Sequence, residues 1–169
     1  MNNRINLFIQ TFEGLIFQLL HTNVVIGGTN ALLQHGLKIS RTPSDLDLII
    51  YQPTEEQLQI LKTIAVFDLI KDRPELQYGN LQKAIKIEKD GLFLDIITET
   101  EPTPQNLLYY RYGHSDKLLQ IQSIENVIKA KLSYKFERQS DSRDRSLTKY
   151  MRSKDLEDLL DLKNSNFNV

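Results

Sequence analysis

The chain of 169 residues contains no cysteine. Disulfide bonds, thiolate zinc sites and cysteine nucleophiles are therefore excluded. The three histidines, His21, His35 and His114, are scattered along the sequence and form no histidine metal motif. The common zinc-binding patterns are thus absent from this sequence.

Net charge and long apolar runs are also lacking. The formal net charge of −1 provides no global basic field that would attract nucleic acid, although it leaves room for a local basic patch. No apolar run approaches the roughly 20 residues that span a membrane, and the N-terminus MNNRINLF lacks the layout of a secretory signal. We expect a cytoplasmic protein with no membrane contact.

Apolar periodicity predicts alternating helices and strands in the first hundred residues. The expected order is a helix over 4–21, a strand over 24–26, a helix from 29, a loop over 37–44, a strand over 45–50, a helix over 54–66 capped by Thr54, and a hairpin over 83–97 that turns at 89–91. This order predicts an α+β fold in which a mixed sheet is backed by helices.

Beyond the hairpin the sequence predicts helices only. Residues 98–120 are expected to be irregular, and a helix capped by Ser123 should bury Ile124, Val127, Ile128 and Leu132. After a charged loop over 139–145, a last helix over 153–163 should turn Leu156, Leu159 and Leu160 inward. We therefore expect a core over 1–120 and a helical C-terminal segment over 121–169 that packs on it.

The sequence Gly27-Gly28-Thr29 stands between a predicted strand and a predicted helix. Glycines allow backbone amides to approach a phosphate closely, and the start of a helix adds partial positive charge. The Thr29 hydroxyl could hydrogen-bond a phosphate oxygen. The simpler alternative is an ordinary tight turn.

The sequence Asp45-Leu46-Asp47 places two carboxylates on one face of a predicted strand, while Leu46 and Leu48 enter the core. Adjacent like charges destabilise a fold unless a cation bridges them, and Mg²⁺ is the natural bridge between carboxylates. The alternative is a solvated strand end, where two aspartates are harmless.

Asp95 lies in the apolar run Leu92-Phe93-Leu94-Asp95-Ile96-Ile97. Burying an unpaired carboxylate is costly, so a partner or a functional role is expected there. If this strand neighbours residues 45–50, Asp95 completes a cluster of three carboxylates. Such a cluster can hold two metal ions about 3.5–4 Å apart.

These motifs together resemble the signature of the DNA polymerase β-like nucleotidyltransferase superfamily: a glycine pair with Ser or Thr, an Asp-x-Asp flanked by apolar residues, and a later third carboxylate. Ala31-Leu32 after the glycines, and Arg41 shortly before Ser44-Asp45-Leu46-Asp47, resemble the AbiEii/AbiGii-type toxin nucleotidyltransferases most closely. The resemblance covers mainly residues 20–100, with a thinner extension near 125–160.

The resemblance implies transfer of a nucleoside monophosphate from a nucleoside triphosphate to a hydroxyl acceptor, with Mg²⁺ (or Mn²⁺) as cofactor. The acceptor could be a tRNA end, a protein hydroxyl or a small molecule such as an aminoglycoside, and a cognate antitoxin is a candidate partner. The implied catalytic and metal-binding residues are Asp45, Asp47 and Asp95, and the implied nucleotide-binding residues are Gly27, Gly28, Thr29, Arg41 and Lys131.

Lys131 fits the position of a triphosphate-binding lysine in the resembled family. It lies in the apolar stripe of its predicted helix, so it either enters a cleft or snorkels past the core, and Lys129 and Lys135 are rival candidates. Arg138, Lys154-Asp155 and Asp158 resemble a trailing pattern of that family. Lys154 and Asp158, four residues apart, could equally form a surface ion pair.

Two further hypotheses compete with an active enzyme. The chain could be a nucleotide-binding or protein-interaction module that has kept the scaffold without turnover. It could also be a structural protein whose aspartates cap turns, in which case Mg²⁺ would not change its melting temperature.

Overall fold

A computed structural model describes residues 3–64, 76–77, 81–113, 116–133, 135–139, 147–150 and 152–169. The described helices are α1 (Asn3–Thr11), α2 (Glu13–Leu19), α3 (Gly28–Gln34), α4 (Glu55–Ile64), α5 (Ile124–Ser133) and α6 (Ser153–Asn164). The described strands are β1 (Val24–Gly27), β2 (Asp45–Tyr51), β3 (Leu76–Gln77), β4 (Leu81–Lys89), β5 (Leu92–Glu99), β6 (Leu108–Arg111), β7 (Leu118–Ile121), β8 (Lys135–Gln139) and β9 (Leu147–Tyr150). None of the described helices combines the length and apolarity needed to cross a membrane.

Six strands form one mixed sheet in the order β4-β5-β2-β1-β7-β6. Strands β5 and β2 run parallel, as do β1 and β7, whereas the other neighbours in this sheet are antiparallel. A second sheet, β3-β8-β9, is antiparallel. The predicted α+β architecture with a mixed sheet and helices is confirmed, and β5 is the neighbour of β2 that the interpretation of Asp95 requires.

The two faces of the main sheet differ in what they bury. Leu46, Leu48 and Ile50 of β2 enter the main core together with side chains from the helices, as predicted for the two leucines. Ile49 and Tyr51 belong to a smaller apolar cluster. Because side chains alternate along a strand, Asp45 and Asp47 lie on the same face as Ile49 and Tyr51, opposite the main core.

Local signals for caps and turns are confirmed. The Gln57 amide donates to Thr54 Oγ1 (3.1 Å), and the Gln57 side chain accepts a hydrogen bond from the Thr54 amide (3.0 Å), which forms a reciprocal capping box. The Asn126 amide donates to Ser123 Oγ in the same way at α5. Asp90 and Gly91, with φ of 54° and 77°, form the predicted hairpin turn.

The helix predicted over 4–21 is divided in two. Phe12 has ψ of 19° and separates α1 from α2. Phe12 is nevertheless buried, as are Ile9 and Ile16 on either side of it. The apolar face therefore continues through the break, which is why periodicity alone predicts a single helix.

Five strands were not expected. One of them is β3, which has only two residues. Strands β6 and β7 lie in the region predicted to be irregular, and β8 and β9 follow the hairpin, where only helices were predicted. Each of these four has four or five residues, too few for a clear period. In addition, β7 is held by parallel pairing of Ile121 with Ile26, a contact between distant parts of the chain that no local pattern reports. Most of the loop predicted over 139–145 lies outside the described residues.

The inward face of α6 also differs from the prediction. Leu159 is buried, but Leu156 and Leu160 are each 51% exposed. The buried face includes two acidic residues instead, Asp155 and Asp158. Burial of these two carboxylates requires cationic partners, and those partners lie in the cavity of the candidate active site.

Candidate active site

The three predicted carboxylates meet on neighbouring strands. In the parallel pairing of β2 with β5, Asp47 stands opposite Asp95, and Asp45 stands opposite Phe93. Asp45 and Asp47 share one face of β2, and Asp95 is 7% exposed. These three residues are called here the carboxylate cluster.

Crowding of like charges shifts the acidities within this cluster. Burial and the charge of Asp45 raise the pKa of Asp47 to about 6. Burial and the charges of Asp47 and Asp45 raise the pKa of Asp95 to about 7. Burial also acts to raise the pKa of Asp45, but the neighbouring Lys154 and Lys86 charges outweigh it and hold that pKa below its usual value. The cluster thus carries repulsion that a cation would relieve.

Two lysines contact the cluster. Lys86 Nζ lies 3.2 Å from Asp95 Oδ1 and 3.8 Å from Asp45 Oδ2, and Lys154 Nζ lies 3.6 Å from Asp45 Oδ2. In the described part of the chain, no three histidine or acidic side chains are placed as they would be around a bound metal ion. Among the described residues, the cationic groups next to the cluster are the ammonium groups of Lys86 and Lys154.

The glycine turn stands directly against the carboxylate cluster. Gly28 has φ of 67°, and a methyl group at this position would collide with the Asp47 carboxylate. A methyl group at Gly27 would come within 2.6 Å of Ile49 Cδ1 and 2.7 Å of Gln122 Oε1. Gly28 therefore requires glycine, whereas a side chain at Gly27 would require the ends of the Ile49 and Gln122 side chains to move. The Gly28 amide, predicted to approach a phosphate, donates to Gln122 Oε1 (3.1 Å).

The other predicted nucleotide-binding residues converge on a single carboxylate. Asp158 Oδ2 accepts hydrogen bonds from Thr29 Oγ1 and Arg41 Nη2, each at 2.7 Å, and lies 3.0 Å from Lys131 Nζ. Arg41 Nε also donates to Asp158 Oδ1 (2.9 Å). Burial acts to raise the pKa of Asp158, but its hydrogen bond from Arg41 and the charge of Lys131 outweigh it and lower that pKa.

Asp155 extends this set of contacts. It lies 3.1 Å from Lys131 Nζ and accepts a hydrogen bond from Arg152 Nε (2.9 Å). Lys131 is 4% exposed, Asp155 1% and Asp158 0%. The ion network is defined here as Thr29, Arg41, Lys131, Asp155 and Asp158. It joins the glycine turn and the Arg41 loop to helices α5 and α6.

The structure decides between some of the alternatives for the C-terminal residues. Lys131 enters the cavity and does not snorkel to solvent, whereas Lys129 and Leu132 are exposed, which contradicts the predicted burial of Leu132. The proposed surface pair of Lys154 with Asp158 is wrong, because Asp158 is fully buried in the ion network and Lys154 contacts Asp45. Both acidic residues of α6 are tied to the core.

An open cavity is lined by the carboxylate cluster and by four members of the ion network, Thr29, Arg41, Lys131 and Asp155. It therefore brings together residues that are widely separated in the sequence. The polar and glycine residues that line it are Gly28, Thr29, Arg41, Asp45, Asp47, Asp95, Gln122, Lys131, Arg152, Lys154 and Asp155.

Solved structures resemble this arrangement of strands and helices. A Helicobacter pylori protein, whose crystal structure carries a provisional description as a nucleotidyltransferase, is 15% identical in sequence with a TM-score of 0.50, over 99% of this chain and 73% of that one. The chain has a nucleotidyltransferase-like fold. A second structure, JHP933 from Helicobacter pylori, is 16% identical with a TM-score of 0.47, over 99% of this chain and 70% of that one.

The likeness at these identities concerns the nucleotidyltransferase-like fold alone. No protein-family model matches the chain, and no curated protein matches it. The resemblance to the AbiEii/AbiGii-type toxins consequently stays a prediction from the motifs.

Sequence reasoning did not anticipate that Lys86 and Gln122 reach the site. It singled out Asp155 and Asp158 only through the resemblance and did not anticipate their burial. Lys86 and Gln122 carried no signal, because each reaches the site only through pairing or packing between distant segments. Asp155 and Asp158 did carry a sequence signal. They share a helical stripe with Leu159, so the apolar face of α6 passes through two acidic residues.

Proposed function

We propose that this protein is a nucleotidyltransferase that transfers a nucleoside monophosphate from a nucleoside triphosphate to a hydroxyl acceptor. One observation carries the proposal: three carboxylates on neighbouring strands, Asp45, Asp47 and Asp95, stand against the strand–glycine–helix turn at Gly27–Gly28. The nucleotidyltransferase-like fold supports it.

The donors of the carboxylate cluster suit Mg²⁺ or Mn²⁺. Carboxylate oxygens are the ligands these hard cations prefer, and the raised pKa values of Asp47 and Asp95 reflect burial and a repulsion that a cation would relieve. Asp45, Asp47 and Asp95 would hold the metal, and because their oxygens are not arranged around an ion position in the described chain, binding would require these side chains to turn toward it. When bound, it would supply charge neutralisation for the triphosphate and activation of the acceptor hydroxyl.

The remaining roles fall to residues of the chain. In the proposed reaction the acceptor oxygen forms a bond to the α-phosphorus, the bond from that phosphorus to the α–β bridging oxygen breaks, and pyrophosphate leaves. Asp95 accepts the proton of the acceptor hydroxyl. The turn at Gly27, Gly28 and Thr29 holds the β- and γ-phosphates by close approach of its backbone.

Arg41 and Lys131 would neutralise the triphosphate. Both are engaged by Asp158. Arg41 uses Nε and Nη2 for this contact and can offer Nη1 to a phosphate. The three donors of Lys131 Nζ already face Thr29, Asp155 and Asp158, so Lys131 would act through its charge. In this arrangement Asp158 orients the two cations, and the triphosphate takes up the Nη1 donors of Arg41.

The acceptor and the biological role rest on the motif resemblance alone. We propose a tRNA end, a protein hydroxyl or a small molecule such as an aminoglycoside as acceptor, with a toxin, defence or resistance role and a cognate antitoxin as partner. These proposals are separable from the chemistry, because the carboxylate cluster would perform the same transfer on any of these hydroxyls.

The decisive experiment measures transfer of label. The protein is incubated with the four α-phosphate-labelled nucleoside triphosphates, Mg²⁺, and tRNA, protein or aminoglycoside acceptors. We expect label on one acceptor class, and a loss of about 100-fold or more in Asp47→Asn and Asp95→Asn, since metal ligands supply several kcal/mol of transition-state stabilisation.

Asp90→Asn is the matched control. Asp90 lies in the exposed hairpin turn at a positive φ that asparagine tolerates, so this variant should retain full transfer. Transfer that survives in Asp47→Asn and Asp95→Asn would contradict the assigned roles of these carboxylates.

A second candidate function is a nucleotide-binding module without turnover. The observation in its favour is that one buried carboxylate, Asp158, already engages Thr29, Arg41 and Lys131. Calorimetric titration with Mg²⁺-ATP beside the transfer assay separates the two functions. Binding of ATP without transfer to any acceptor would support the module and overturn the enzyme.

A further inference from the structure

Lys86 occupies the side of the carboxylate cluster that lies farthest from the glycine turn. It lies opposite Asp95 in the antiparallel pairing of the edge strand β4 with β5. Its ammonium reaches both Asp95 and Asp45, at 3.2 and 3.8 Å. The turn stands instead against Asp47, through Gly28. The cation of Lys86 is therefore on the acceptor side of the cluster rather than the phosphate side.

The ammonium of Lys86 is held there by three groups. Phe93 and Asp95 stand two residues apart on one face of β5, and the Phe93 ring centroid lies 4.8 Å from Lys86 Nζ, within the range of a cation–π contact. The side chain of Lys86 is 27% exposed. Lys154 differs, because it touches the cluster through Asp45 alone and lines the cavity from the side of α6.

We propose that Lys86 takes the place of the acceptor-side metal ion, so that this enzyme binds one divalent ion where two were expected from the sequence. The inference rests on the proposed function. Lys86 and Lys154 already offset two of the three negative charges of the cluster, which leaves too little charge to hold two divalent ions. Lys86 Nζ also lies within 4 Å of both Asp45 and Asp95, the carboxylates that a second ion would need.

The bonds formed and broken in the proposed reaction are the same under this arrangement. The acceptor proton still passes to Asp95, the new bond still joins the acceptor oxygen to the α-phosphorus, and pyrophosphate still leaves. Lys86 contributes a fixed positive charge beside the acceptor oxygen. It acts as a positioning and charge-compensating residue, and neither gains nor loses a proton.

Manganese paramagnetic resonance tests the proposal directly. The whole chain is titrated with Mn²⁺ in the presence of a triphosphate analogue whose α–β bridge is methylene, and Mn²⁺ bound by the analogue alone is measured separately. Two ions at the spacing of a two-metal site, about 3.5–4 Å, give a spin-coupled signal, whereas one ion gives an isolated signal.

The variants separate charge from structure. We expect one isolated ion per chain in the wild-type protein and in Lys86→Arg, which keeps the charge. We expect a spin-coupled pair in Lys86→Met and in Lys86→Gln, and the second neutral variant covers the case in which the first does not fold. Lys89→Met is the control, because Lys89 is exposed on the same strand, away from the cluster.

The other outcomes are equally decisive. A coupled pair in the wild-type protein would overturn this inference and leave the proposed function intact. An isolated ion in both neutral variants would also overturn it, because Lys86 would then be only a structural ion-pair partner. If the wild-type protein holds no Mn²⁺ beyond that of the analogue alone, the proposed function itself fails and this inference with it.

Discussion

Two groups of charges share one cavity and differ in how well they are neutralised. In the ion network, each buried carboxylate has at least two cationic partners: Asp158 contacts Arg41 and Lys131, and Asp155 contacts Lys131 and Arg152. In the carboxylate cluster, three aspartates crowd together and two of them have raised pKa values. The ion network is therefore built to hold the fold, whereas the carboxylate cluster stores repulsion that a substrate complex could relieve.

This contrast predicts opposite effects of removing an acidic group. Loss of a carboxylate from the ion network should destabilise the protein, because buried cations lose their partner. Loss of a carboxylate from the carboxylate cluster should stabilise the protein and abolish activity, as expected where a fold holds a strained functional site.

The largest effect is expected at Asp158. Replacement Asp158→Ala leaves Arg41 and Lys131 buried without their shared carboxylate, so the free energy of unfolding should fall by about 3–5 kcal/mol in a urea titration. Glu157→Ala, an exposed change on the same helix, should stay within about 0.5 kcal/mol. Equal losses in the two variants would show that the ion network contributes no special stability.

An effect that reaches a similar size only at high pH is expected at Asp95. Its pKa is raised from 3.8 to about 7 in the folded state. Below pH 3.8 both states are protonated, and as pH rises to about 7 the unfolded chain releases a proton that the folded chain retains. The wild-type protein should therefore lose stability relative to Asp95→Asn, with the difference growing from near zero at pH 3.5 to about 4 kcal/mol at pH 8.

Paired urea titrations across that range measure this difference directly. A gap between wild type and Asp95→Asn that shrinks as pH rises would have the wrong sign. It would mean that the folded state lowers the pKa of Asp95 below its unfolded value, because the charge of Lys86 outweighs burial and the charges of Asp45 and Asp47.

The central cation of the ion network should contribute less than Asp158. In Lys131→Met, the carboxylates of Asp155 and Asp158 keep contacts with Arg152 and Arg41, so we expect a loss of about 1–2 kcal/mol. Lys129→Met, an exposed change on the same helix, should be nearly neutral. If the two lysine variants melt alike, Lys131 does not connect α5 with α6.

The smallest effect is expected from Mg²⁺ binding. Millimolar Mg²⁺ should stabilise the wild-type protein by about 1 kcal/mol, which raises the melting temperature by about 2–4 °C. A chelator should reverse the shift, Asp90→Asn should show it, and Asp47→Asn should not. The structural hypothesis, in which the aspartates only cap turns, instead predicts no shift in any of them.

Much of the carboxylate cluster could be predicted because its signals are local. The alternation of Asp45, Leu46, Asp47 and Leu48 assigns the carboxylates to one face of a strand, and both leucines are buried as expected. An aspartate within the apolar run around residue 95 demands a partner. Only the adjacency of the two strands had to be assumed.

The ion network was less predictable because its contacts are non-local. Asp158 meets Thr29 and Arg41 across more than a hundred residues of chain. On α6, an apolar pattern assigned Leu156 and Leu160 to the core, but both are exposed. Asp155 and Asp158 are buried in their place. An acidic residue can occupy an inward-facing position of a helix when cationic side chains of other elements lie next to it. No local sequence pattern shows that those cations are there.

Local sequence was enough to specify the available chemistry, which is carboxylates without thiols, a glycine turn that allows close approach, and the caps and hairpin that depend on a few neighbouring residues. Which charges neutralise each other was settled only when distant segments packed together. Strand order brought Lys86 to Asp95, and the docking of α6 brought Asp158 to Arg41. The physical reason is that the strength of an ion pair depends on distance and burial, and folding sets both only when distant segments meet.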